Sequence, residues 1–154
     1  MKRSTTLAAV TAGAVLALAV PVAVAGSAGA ESGVRLRLVE TNVAFHFLDA
    51  PAPDADGQAG DTITFESNLS KGGVKVGSLE GHCIQIRANG TLDDCDVTVK
   101  VGKSSYRMAG PFDPVKGGTL TIVGGTGVWV GAAGTDTIVN QPDGTAVHTV
   151  KITL

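Results

Sequence analysis

Glu40 and Asn42 stand two residues apart in an otherwise apolar, alternating stretch. An extended chain turns both side chains to the same face. A carboxylate and an amide inside a dry pocket can orient a ligand or stabilise developing positive charge. At a strand edge the same carboxylate is a rim charge and does no chemistry. The residues leave both readings open.

The other reactive side chains exclude more than they suggest. His46, His82 and His148 are scattered, and no Gly-x-Ser-x-Gly elbow is present, so a Ser-His-Asp hydrolase is not supported. No His-x-His, His-x-x-x-His or Cys-x-x-Cys pair offers zinc ligands. Asp93, Asp94 and Asp96 read as a solvated turn, because a calcium loop needs more oxygen ligands in a defined order. Gly125-Thr126-Gly127 follows an apolar strand, but Val130 stands where a dinucleotide-binding loop needs its third glycine. No helical pattern follows to aim amides at a phosphate. The glycines therefore read as a tight reversal between strands, and no cofactor or metal is expected. His148 shares a face with Ala146, Val150, Ile152 and Leu154. It reads as a satisfied interior or interface residue rather than a base.

Cys83 and Cys95 flank an Asn89-Gly90 hairpin signal. With a three-residue turn, Arg87 faces Thr91 and Cys83 falls opposite Cys95 on one face, close enough for a disulfide. A two-residue turn offsets the pair by one, and the alternative is then a free thiol lining a pocket.

These groups must be positioned by an all-β domain. The N-terminus carries Lys2 and Arg3, an uncharged Ala/Val/Leu-rich run, and small-residue triplets at Ala23–Ala25 and Ala28–Ala30. That pattern reads as a signal peptide over residues 1–30, which would leave one domain over 31–154 and an exported, secreted product no longer membrane-bound. The whole chain has 12 Lys and Arg against 14 Asp and Glu, and losing Lys2 and Arg3 deepens the acidic excess. With few aromatics besides, nucleic acid is excluded as a partner.

Alternation recurs over Val34–Leu38, Val43–Phe47, Asp61–Ser70, Val74–Arg87, Thr91–Val101, Ser105–Ala109, Thr119–Val123, a segment holding Trp129, Thr135–Asn140 and Ala146–Leu154. Gly110-Pro111-Phe112-Asp113-Pro114 is expected to break the ladder. Asp49 to Gly60 is a long loop rich in proline, glycine and acid. Read together as roughly eight or nine short strands, these segments fit a small antiparallel barrel better than a sandwich, because closure removes exposed edges.

Ile122-Val-Gly-Gly-Thr-Gly-Val-Trp129, with Gly131-Ala-Ala-Gly134, resembles the Gly-Gly-Thr/Ser-Gly-x-aromatic segment of plant dirigent proteins and allene oxide cyclases. Gly60-Asp61 with Phe65 and Leu69, then Gly77 and Gly81-His82-Cys83, resemble further strands of that superfamily in order; bacterial secreted members are the nearest type. The resemblance implies an eight-stranded antiparallel barrel, commonly a homotrimer, with an apolar cavity that steers cyclisation of a small molecule and needs no cofactor. Glu40-Thr41-Asn42 matches the cyclases' Glu-x-Asn pair, and Cys83 their barrel cysteine. Where the cyclases carry a second-strand asparagine, this chain has Ser67.

The function expected is an isomerase- or cyclase-type barrel for an apolar small molecule. Glu40 and Asn42 would be polar anchors, and Phe45, Phe47, Phe65 and Trp129 candidates for the apolar wall. The alternatives are a dirigent-like binding protein without chemistry, or a structural extracellular barrel whose interior is filled.

Overall fold

The computed structural model describes residues 33–48, 58–87 and 90–154. The expected signal peptide, most of the Asp49–Gly60 loop, and Asn89 lie outside the described residues.

Eight strands form a closed antiparallel barrel. They are β1 (Val34–Leu48), β2 (Thr62–Lys71), β3 (Val74–Gln85), β4 (Asp93–Val101), β5 (Ser104–Phe112), β6 (Gly118–Gly125), β7 (Ala133–Asn140) and β8 (Thr145–Thr153). Each pairs with the next, and β8 closes onto β1 from Val34↔Ile152 to Thr41↔Thr145. Closure gives every strand two neighbours, so no edge remains to template aggregation.

The period-2 pattern sets which side chains fill the barrel. Val97 and Val99 on β4, Leu120 and Ile122 on β6, and Val150 and Ile152 on β8 are all buried. At one end the filling is complete. Leu69, Val99, Tyr106 and Ile122 pack there, and a single 3-10 turn, Gly127–Trp129, seals the end with Trp129. The Trp129 ring stands edge-on to Tyr106, with centroids 6.1 Å apart.

Three local expectations change. First, β1 is one continuous strand, not two. A bulge between Asn42 and Ala44 shifts the register, so that Asn42 faces Ser67 while Phe45 faces Phe65. The extra residue reverses the inward–outward phase, which is why apolar positions are even-numbered before it and odd-numbered after it. Second, Trp129 sits on a 3-10 turn and not on a strand. Gly125 permits this: a Cβ there would lie 2.6 Å from the Trp129 carbonyl oxygen and 2.7 Å from that of Ser105. Third, β5 runs through Gly110 and Pro111 to Phe112. Beyond Ala109 the strand keeps its β4 partners, but its β6 ladder has ended. Pro111 therefore costs no hydrogen bond on that side.

Candidate functional site

The opposite half of the barrel is not filled. A cavity of about 400 Å³ opens where β1, β3, β5 and β7 end. Its wall is mostly apolar, with Ile63, Phe65, Leu79, Val97, Met108 and Leu120 among the lining residues. Glu40, Asn42, Asp93, Asn140 and His148 supply polar groups. An apolar pocket of this size with a few convergent polar groups has the make-up of a small-ligand site.

His148 lies at the centre of the polar wall. It faces inward from β8 and is 1% exposed. The β7–β8 hairpin places Ile138 opposite it on one side, and barrel closure places Leu38 of β1 opposite it on the other. The inward neighbours one step along those strands are Glu40 and Asp136. His148 Nε2 lies 2.8 Å from Glu40 Oε2. His148 Nδ1 lies 2.7 Å from Asp136 Oδ2. Asp136 is fully buried behind the histidine and is not part of the cavity wall.

Two carboxylates against one imidazole settle the charge on the ring. Burial alone would favour neutral His148. The hydrogen bonds to Asp136 and Glu40, with the charges of both, outweigh it and push its pKa up to about 9. At neutral pH the ring is therefore an imidazolium that donates from both nitrogens. Glu40 responds in the opposite direction. Burial raises its pKa, but the His148 hydrogen bond, the Ser67 hydroxyl and the His148 charge together bring it below the ordinary value. The Ser67 hydroxyl is buried near this carboxylate and favours its ionised form, although it makes no hydrogen bond of full geometry. Glu40 is thus held ionised and in one orientation on the wall of an apolar cavity. A carboxylate oxygen has two lone pairs, so Glu40 can still accept from a ligand while bonded to His148.

The sequence-derived candidates divide. Glu40, Asn42, Phe45 and Phe65 line the cavity together, with Asn42 exposed at its rim. Phe47 does not line it: this ring is 61% exposed and stands edge-on to Phe45 at 4.8 Å. Trp129 does not line it either, because it closes the far end of the barrel. Cys83 and Cys95 face each other across β3 and β4 and are bridged. The disulfide is part of the cavity wall, and Cys83 is not a free thiol.

His148 and Asp136 were not singled out as functional from sequence. The signal available was a histidine and an aspartate each at an inward-parity position of an otherwise apolar strand face. The β7–β8 hairpin brings Asp136 to His148, and closure of β8 onto β1 adds Glu40.

No family model matches the chain, and no curated protein matches it. Solved structures do. A pyocyanin demethylase is 23% identical, with 78% of this chain and 100% of that chain covered and a TM-score of 0.68. The pterocarpan synthase dirigent protein PsPTS1 is 15% identical over 80% of this chain and 96% of its own, at a TM-score of 0.64. The Diels Alderase AbmU from Streptomyces koyangensis is 17% identical over 82% of this chain and 71% of its own, at 0.63. At these identities the likeness is one of fold, and the chain has the barrel fold that dirigent proteins and cyclases of this kind share.

Proposed function

We propose that this protein binds an apolar small molecule in the open half of its barrel and steers its cyclisation or rearrangement. The observation that carries the reading is the Asp136–His148–Glu40 chain, which ends as a fixed carboxylate on a mostly apolar cavity wall. The cavity shape would hold the substrate in a folded conformation, replacing a rare solution encounter by a bound one. Glu40 would stabilise positive charge that develops in the transition state, or accept a hydrogen bond from a substrate hydroxyl. Its depressed pKa suits it to electrostatic work more than to strong general-base catalysis. His148 would act through Glu40 as a positioning residue, and Asp136 through His148. None of these steps calls for a metal or cofactor.

The reading includes export, supported by the signal-like N-terminus and by the bridge between Cys83 and Cys95. It also includes a homotrimer, supported by the resemblance to dirigent proteins. Native mass spectrometry of protein purified from its own host tests the proposal. The expected result is a trimer carrying a small apolar molecule. An empty barrel that also fails to retain any molecule from a host metabolite extract would count against it.

A further inference from the structure

The cavity wall carries two carboxylates, Glu40 and Asp93, and no lysine or arginine among the described residues. Its one cationic side chain, His148, is committed to Glu40 and Asp136. Contrary to the solvated turn expected from sequence, Asp93 begins β4, three strands round the barrel from Glu40, and is 2% exposed. Its Oδ1 is buried with no hydrogen-bond partner. Its cross-strand neighbours are Gln85 and Phe112, and neither brings a positive charge. A buried carboxylate oxygen without a partner is costly, and that cost falls when a bound group donates to it.

We propose that Asp93 is a second ligand-contacting carboxylate of this cavity, and that it makes the site selective for an apolar ligand bearing a protonated amine. The inference rests on the cavity being a small-molecule site, as proposed above. Two acidic groups on an apolar wall repel carboxylates and phosphates, which disfavours fatty-acid-like anions as ligands. They attract an ammonium, whose donors can satisfy the Asp93 oxygen that the protein leaves unpaired. Burial, and then the negative charge of Asp113, raises the pKa of Asp93. A bound cation would reverse that shift, so the site is complete electrostatically only when such a ligand is in it.

Three probes with one ring system and different charge test this on the full mature chain: 1-naphthylmethylammonium, 1-naphthalenemethanol and 1-naphthylacetate, titrated calorimetrically at pH 7. The ammonium should bind about tenfold tighter than the alcohol, a difference typical of one charge-assisted contact, and the acetate weakest. Asp93→Asn should remove that tenfold advantage of the ammonium over the alcohol. Asp93→Glu should restore part of the preference and serves as the control if the amide variant folds poorly. Equal affinity for ammonium and alcohol, or preference for the acetate, would overturn the selectivity while leaving the cavity reading intact. An Asp93→Asn protein that keeps the ammonium preference would overturn the role of Asp93. Failure of all three probes to bind would overturn the cavity reading and this inference with it.

Discussion

His148 Nε2 lies 2.8 Å from Glu40 Oε2, across 108 residues of sequence and one strand pairing. That contact exists because β8 closes the barrel against β1. It converts a solitary acidic residue on an apolar strand into an oriented, ionised group on a cavity wall.

The first consequence is a pH dependence with a definite sign. His148 titrates at about 9 in the folded chain against 6.5 ordinarily. Its contribution to stability is whole below 6.5, declines from there, and is lost as pH rises through about 9. The shift corresponds to about 3 kcal/mol. Glu40 acts in the other direction: its depressed pKa gives stability above the ordinary carboxylate range, lost as the solution becomes acidic. Urea midpoints measured from pH 6 to 10 should fall on the alkaline side, and nitrogen-15 spectra should show a doubly protonated His148 ring at pH 7.5. A neutral ring at that pH would refute the assignment.

Asp136→Asn removes the charge behind His148 while keeping the size of the side chain. The His148 pKa should drop toward its ordinary range, and the fold should lose about 3 kcal/mol, as expected when one partner of a buried ion pair is removed. Both changes are read from one pH series of unfolding curves. A variant as stable as wild type, with His148 titrating unchanged, would remove Asp136 from the chain of interactions.

Replacing Cys83 and Cys95 together by alanine opens a loop of sequence separation 12. Constraint of the unfolded chain by so short a loop is worth about 3 kcal/mol. The urea midpoint should shift accordingly, and reductant should no longer affect it. Identical midpoints for wild type and double variant would contradict this.

Gly134→Ala should be among the most damaging glycine substitutions. A Cβ there would lie 2.0 Å from the Lys151 carbonyl oxygen, at a φ of +145°. Contact with backbone cannot be relieved by rotating a side chain, so a loss of about 3 kcal/mol is expected. At Gly72, with φ of +58°, a Cβ meets nothing within 4 Å. Gly72→Ala should cost only about 1 kcal/mol, for the left-handed backbone alone. Thermal unfolding of the two variants side by side checks the order.

The strands were legible because alternation of apolar and polar residues over Val97–Val99 or Ala146–Ile152 has no reading other than a half-buried strand. The Cys83–Cys95 pairing was legible because the bridged residues are local and their register follows from one hairpin turn. Trp129 was placed on a strand because Val128 and Val130 flank it with strand-forming residues; both are largely exposed, and the glycines at 125 and 127 decide the backbone instead. The bulge at Val43 was written in the switch of parity between Asn42 and Phe45, but a switch of parity also fits two separate strands. His148 and Asp136 stayed hidden for a different reason. Asp136 and His148 meet within the local β7–β8 hairpin, but the carboxylate that gives them a role at the cavity, Glu40, reaches them only when β8 closes onto β1.

The most direct test of the whole account is turnover by Glu40→Gln of the small molecule that the proposed function expects to co-purify with the wild-type chain. The substitution keeps shape and a hydrogen bond to His148 but removes the charge. The account predicts kcat reduced by about 10²-fold, the usual cost of losing one preorganised electrostatic group, in a protein that still folds but with a lower thermal midpoint, because His148 has lost one of its two carboxylates. Turnover equal to wild type in a folded Glu40→Gln protein would contradict it.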